Sequence, residues 1–335
     1  MATNVPEAVA NDLNPGPIEA EDAATSDWDE ESIASSTQSL TESILDHIYQ
    51  GGRRYHRKSK EQYFLPSDDT EQDRLDMIHE MHLELLNRRL TMTKLTEDPG
   101  NVLDCGCGTG IWALDFGNEH PGSQVVGLDL APIQPGWTAP NVKFELDDLE
   151  KEWTYAPNHF NFIHSRHLAV SIKDWPKYLR QMYYHAAPGA NIEVVEYNMD
   201  KMLCDDGTMP ENSAYHTYTD ALQSSLQKLG IDGGYHATDY KRMMQEAGFV
   251  DVNIYAFKIP IGIWTRNPKL KKIGFIFYHI ATTGAEAHAY SLLTNVGGYS
   301  VENARKIIDD VVATFKRAKE HVYYMEYYIT GRKPK

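Results

Sequence analysis

Basic residues are missing from the first fifty positions of this 335-residue chain, which hold eleven Asp and Glu and no Lys or Arg. That stretch carries −11 of the net −16 and leaves only −5 for the other 285 residues. Large apolar residues are scarce there before Ile33, and Ser, Thr, Ala, Asn and Pro fill the gaps, so disorder is expected over residues 1–38. Concentrated positive charge is lacking elsewhere too. The one basic cluster, Arg53-Arg54-Tyr-His-Arg57-Lys58-Ser-Lys60, is at most a nuclear-localisation signal. Phosphate backbones need a broader basic surface, so direct nucleic-acid binding is not expected. No apolar run approaches bilayer length and no basic-then-apolar leader opens the sequence, so no membrane span is expected and the setting is nuclear or cytoplasmic. Cysteine is rare as well: three residues, in keeping with a reducing compartment. Cys105 and Cys107 flank a glycine without a second Cys/His pair at zinc spacing, so no metal site is expected. Internal repeats are absent. With 41% hydrophobic residues the chain is nevertheless long enough to bury a large core.

What is present centres on Val102-Leu-Asp-Cys-Gly-Cys-Gly-Thr-Gly-Ile-Trp112. A strand ending at Asp104 turns into a helix through Gly106, Gly108 and Gly110, whose missing Cβ atoms permit positive φ and let a ligand lie on the backbone. Three readings compete. The spacing D-x-G-x-G-x-G is that of S-adenosylmethionine (SAM) methyltransferases; Gly108-Thr-Gly110-Ile-Trp-Ala113 also satisfies a relaxed dinucleotide fingerprint; a tight structural turn is the plain alternative. Downstream strand ends favour the first. Gln124-Val-Val-Gly-Leu-Asp-Leu130 reads as a strand whose Asp129 stands where such folds bond ribose hydroxyls. Asn141-Val-Lys-Phe-Glu-Leu146 runs into Asp147-Asp148, where methyltransferases meet the adenine amino group, with Leu130 and Leu149 placed to sandwich the ring. Phe160-Asn-Phe-Ile-His-Ser-Arg166 supplies a fourth strand end beside the methionine part of the cofactor.

Strands expected at 101–105, 124–130, 141–146, 159–164 and 190–197 alternate with helices at 109–119 and 174–186, the pattern of a parallel, doubly wound α/β sheet. Before it, short and long helices are expected at 39–49 and 71–90; after it, helices at 211–229 and 237–247. Residues 249–258 and 321–330 alternate as strands, the last antiparallel, and between them lie helical patterns at 267–282, 285–296 and 300–319. The expected organisation is thus an acidic tail 1–38, an N-terminal helical cover 39–100 and a class I, Rossmann-like methyltransferase core 101–335 with cap segments 198–236 and 262–320.

Beyond the glycine motif, several stretches resemble the fungal LaeA-like methyltransferases. They are Gly52-Arg-Arg-Tyr-His56, Tyr63-Phe-Leu-Pro-Ser-Asp-Asp69 with Glu71-Gln-Asp-Arg-Leu75, and Leu130-Ala-Pro-Ile-Gln-Pro135. Phe144-Glu-Leu-Asp-Asp148, Ile163-His-Ser-Arg166, Ser171-Ile-Lys-Asp-Trp175, Asp205-Asp-Gly-Thr208 and Gly331-Arg-Lys-Pro334 complete the set. The resemblance spans about residues 39–335; Cys105-Gly-Cys107 departs from the Leu-Gly-Thr or Ile-Gly-Cys expected there. It implies SAM binding, a role in secondary metabolism or its regulation, and in some members velvet-type partner proteins. It leaves the acceptor open, small molecule or protein.

Methyl transfer from a sulfonium is an in-line displacement, so such a protein chiefly aligns its reactants and excludes water. Asp104 is expected to organise the turn and face the methionine end, Asp129 to take the ribose, and Asp147 or Asp148 the adenine; Tyr63 and Arg54 are candidate lid residues. His164 and His167, just past the fourth strand, are the candidates for a general base, against a purely structural role for either. Glu196 could orient an acceptor or bond the following loop. Tyr197, Tyr215, Tyr218, Trp264 and Tyr278 could line the acceptor pocket or simply pack. The alternative to an enzyme is a SAM-binding scaffold in a velvet-type complex.

Overall fold

Gly51 and Gly52, at φ +59° and +86°, close a hairpin between β1 (His47–Gln50) and β2 (Arg53–His56). Two successive positive-φ residues suit a tight strand turn, which explains why residues 47–50 are strand where a helix over 39–49 was expected. The computed structural model describes residues 10–11, 13, 15–20, 47–56, 65–198, 202–233 and 235–335; most of the acidic tail, residues 39–46 and Tyr63 lie outside the described residues. Within the tail, residues 15–20 depart from the expected disorder. Ile18 packs with Ala256, Tyr323 and Met325, its amide donates to Asp205, and Ala20 bridges Thr265. A lone apolar residue between Pro17 and the acids suffices to seat that short segment.

Helix α1 (Asp69–Leu85) starts where Asp68 accepts the Glu71 amide at 3.0 Å, a standard N-cap. It stops before the expected residue 90 because Asn87 and Arg88 adopt positive φ. The sheet comprises β3 (Asn101–Cys105), β4 (Gln124–Asp129), β5 (Val142–Leu146), β6 (Phe160–Arg166), β7 (Ala186–Tyr197), β8 (Leu203–Cys204), β9 (Val250–Pro260) and β10 (Val322–Arg332). Its order is β5-β4-β3-β6-β7-β10, with β9 pairing β10 on the far side and the two-residue β8 at the end of β10. The first five run parallel and β10 lies antiparallel between β7 and β9. The remaining helices are α2 (Ile111–Glu119), α3 (Trp175–His185), α4 (Ala214–Lys228), α5 (Ala237–Ala247), α6 (Pro268–Leu292) and α7 (Val301–Arg317).

One face of the sheet buries Leu103, Ile163 and Val194 against α3 and α5; the other packs Val195 and Tyr328 against α1 and α6. A separate core joins α4, α6 and α7 through Tyr218, Leu222, Ala285, Val311 and Phe315, so the two cap segments fold on each other. The helices expected at 267–282 and 285–296 are one rod, α6 running into a π-turn at Leu293–Gly297. Gly284 does not break it. A Cβ there would stand 3.2 Å from Cδ of Arg74, so the glycine serves close packing between α6 and α1. Among the described residues no helix is long and apolar enough to cross a membrane.

Candidate functional site

The β3–α2 turn is built as its composition requires. Gly106, Gly108 and Gly110 take φ of +67°, +56° and +82°, conformations costly for residues with a Cβ. The Gly106 and Cys107 amides donate to the Leu128 carbonyl at 2.8 and 3.0 Å, and the Gly108 amide donates to Asp129 Oδ2 at 2.8 Å. Gln134 donates to the Gly108 carbonyl at 2.7 Å, and Thr109 donates to Asp76 at 2.6 Å, tying the loop to α1. A Cβ on Gly106 would stand 2.5 Å from Leu168, and one on Gly110 would strike the Phe144 ring. Burial pushes the Cys105 and Cys107 thiols up, which suits packing residues rather than thiolates.

Asp129 ends β4 with Oδ1 accepting the Ala131 amide at 2.9 Å, and burial pushes its carboxyl up to about 6 against those two amides. Asp104, 3% exposed, has Oδ1 paired with His164 Nδ1 at 3.0 Å, whereas Oδ2 is buried without a partner. A bare glycine cradle, a carboxylate at its rim and an orphaned buried carboxylate oxygen beside it fit a ligand bearing hydroxyls and a positive charge. Past the end of β5, Asp148 is buried and accepts the Glu150 amide, Asp147 is exposed and accepts the Asp148 amide, Leu149 is buried and Leu130 half-buried. Arg54 reaches away to the Ser67 carbonyl and Asp69.

A cavity of about 210 Å³ joins this loop to the cap. Gly106, Gly108 and Asp129 line one end; Tyr218, Phe277, Ile280 and Phe315 line the other. Of the remaining expected cofactor residues, Asp104, Gly110, Leu130, Asp147, Asp148, Leu149 and Arg54 stand outside its lining.

The two candidate histidines part company. His164 is 2% exposed, stacks on Trp112 with centroids 3.9 Å apart, bonds Asp104 and does not line the cavity; its geometry is that of a packing and orienting residue. His167 does line it. Its φ of +58° and its amide bond to the Val195 carbonyl aim the ring across the end of β7. Nε2 lies 3.0 Å from Oε1 of the fully buried Glu326. Glu196 bonds the following loop, accepting the Leu168 and Ala169 amides at 2.6 and 3.2 Å, and burial pushes its carboxyl strongly up. Of the aromatic set, Tyr197 and Tyr218 line the cavity. Tyr215 packs on Phe315, Trp264 stacks on His321, and neither they nor Tyr278 line it.

Sequence reasoning passed over several residues here. Arg74 lines the cavity, locked to Glu71 by bonds of 2.9 and 2.5 Å with both side chains buried. The signal was an acid–base pair three apart on the inner face of an amphipathic helix. Glu326 was legible as the one acid in Tyr323-Tyr-Met-Glu-Tyr-Tyr328, where alternation puts it on the same face as Tyr324 and Tyr328. Arg166 and His82, both near His167, carried no such signal.

A family described as a methyltransferase domain matches residues 53–254. Methyltransferase pytC of Aspergillus terreus is 39% identical over 303 residues, covering 90% of this chain and 92% of its own. Secondary metabolism regulator LAE1 of Cochliobolus heterostrophus is 32% identical, covering 85% of this chain and 94% of its own. Protein-methionine methyltransferase laeA of Emericella nidulans is 28% identical, covering 85% and 76%. The chain belongs to the class I, SAM-dependent methyltransferase domain family. Within it the protein is a LaeA-like methyltransferase of fungal secondary metabolism or its regulation.

Proposed function

We propose that this protein methylates a hydroxyl on a small, largely apolar molecule held beneath the cap, with His167 as the general base. The observation that carries this is the single cavity running from Gly106, Gly108 and Asp129 past His167 to Phe277, Ile280 and Phe315. A scaffold has no need of a cavity that joins its cofactor loop to an apolar lining. SAM, when bound, supplies an electrophilic methyl on a sulfonium. Asp129 would hold its ribose hydroxyls, Asp148 or Asp147 its adenine amino group between Leu130 and Leu149, and Asp104 Oδ2 the positive charge at its methionine end. Tyr63 would be the lid residue, whereas Arg54 is held away by the Ser67 carbonyl and Asp69. The cap helices exclude water and hold the acceptor in line. With Nε2–H donating to Glu326, His167 presents Nδ1 as the base; it takes the hydroxyl proton as the oxygen bonds the methyl group, and buried Glu326 stabilises the imidazolium.

The cavity of about 210 Å³ includes the end against the glycine loop, which favours an acceptor entering only by its reacting end. That size also supports a second reading. Met202 lines the cavity and one relative is named a protein-methionine methyltransferase; a thioether acceptor loses no proton, so it would not need His167. A regulatory scaffold with velvet-type partners, nuclear or cytoplasmic, is the alternative drawn from LaeA-like kinship, and it predicts SAM binding without turnover. The test is Ile280→Trp, which fills the cavity from α6. Transfer of labelled methyl to small molecules of a fungal extract should cease while SAM affinity stays within about 1 kcal/mol. Unimpaired transfer would overturn the assignment.

A further inference from the structure

His167 has a second neighbour that methyl transfer does not use. The ring of His82, on α1, lies 5.1 Å from that of His167, centroid to centroid. One ligand atom each from His82, His167 and Glu326 lie within 4.8 Å of one another. His82 Nδ1 meets the Tyr328 hydroxyl at 2.5 Å, and its other nitrogen, Nε2, is buried with no partner. A buried imidazole nitrogen left without a partner is costly. A ring held through one nitrogen by an outer hydrogen bond, with the other left bare, is the arrangement of a metal-ligating histidine. Two imidazoles and a carboxylate are the donor set of zinc and related first-row cations. We propose that His82 Nε2, His167 Nε2 and Glu326 form a divalent transition-metal site of zinc type beside the cavity.

Bonds of about 2.0–2.2 Å would set tetrahedral ligands about 3.4 Å apart, so the three groups need close by no more than about 1.5 Å. The Arg166 guanidinium acts against positive charge at His82, and the Asp104, Glu193 and Glu326 carboxylates act on Arg166 in the opposite sense. Metal at His167 Nε2 takes that nitrogen's lone pair, and the ring's single proton then sits on Nδ1. The nitrogen proposed as base becomes a donor, so the metal switches off hydroxyl methylation. That consequence rests on the base role proposed above; the binding itself does not.

The test is calorimetric titration of the full chain with Zn²⁺, with Co²⁺ absorption as a second readout. Wild type should bind one equivalent saturably and give visible Co²⁺ bands of a low-coordinate site. His82→Gln and Glu326→Gln should each weaken binding roughly 100-fold, with retained SAM affinity serving as the check on folding. The site is overturned if wild type shows no saturable Zn²⁺ binding below millimolar, or if both folded variants bind Zn²⁺ as tightly as wild type. Zinc binding that leaves methylation intact would sustain the site and refute the base.

Discussion

Replacing Asp129 by Asn should weaken cofactor binding and remove a pH dependence from the fold. The carboxylate accepts the Gly108 amide at 2.8 Å and the Ala131 amide at 2.9 Å, and as an ion it has lone pairs left for ribose hydroxyls. Asn keeps one carbonyl oxygen and turns an NH2 towards groups that also donate. Losing one charge-assisted bond costs about 1.5–3 kcal/mol, or roughly 10- to 150-fold in SAM affinity. Stability follows a different sign. Burial raises the Asp129 carboxyl from its ordinary value to about 6, so the unliganded protein loses stability as pH climbs through that value. Asn removes this slope but leaves one of the two backbone amides facing an NH2, so it should melt below wild type, by a margin that shrinks as pH rises from 5 to 7.5. The ionised form accepts the ribose, so wild-type affinity should fall as pH drops below about 6, and the Asn variant should not follow it. Calorimetry from pH 5 to 8, paired with thermal melts, reads both effects. Equal SAM affinity in the two proteins at pH 7.5 would refute the role given to Asp129.

Gly106→Val should abolish SAM binding, because a Cβ there already meets Leu168 at 2.5 Å and the residue sits at φ +67°; calorimetric binding at wild-type strength would sink the cradle assignment. Glu196→Ala strips the acceptor from the Leu168 and Ala169 amides and should cost about 2–4 kcal/mol of stability by denaturant melt, two buried donors being left bare. Glu326→Gln should slow methylation of a hydroxyl acceptor at least tenfold with SAM affinity kept; an unchanged rate would point to the thioether acceptor instead. Deleting residues 1–20 removes Ile18 from Ala256, Tyr323 and Met325 and should lower stability by only about 1–2 kcal/mol, leaving SAM affinity unaltered in the same titration.

The cofactor half of the site was written locally. Gly106, Gly108 and Gly110 demand positive φ, and Asp104 and Asp129 end short apolar runs, so spacing alone predicts where backbone and carboxylates meet. The acceptor half was not local. Phe277, Phe315 and Tyr218 come from three helices far apart in sequence, and only their packing shows that they face Gly106 while Trp264 and Tyr215 do not. His164 and His167 look alike as sequence; Asp104 and Trp112 claim the first, and the positive φ of the second aims it at Glu326. The hairpin at Gly51-Gly52 and the unbroken α6 across Gly284 have the same lesson in opposite directions. In the first, glycine conformation overrode a helical pattern; in the second, contact with Arg74 made a glycine useful inside a helix.

Methyl transfer to a small molecule held under the cap is read out by incubating the full chain with methyl-labelled SAM and a fungal metabolite extract, then separating protein from small molecules. Label should enter a small-molecule product, formed by wild type and lost in both Ile280→Trp and His167→Ala. Label confined to protein, or no transfer at all by a chain that binds SAM, would contradict it.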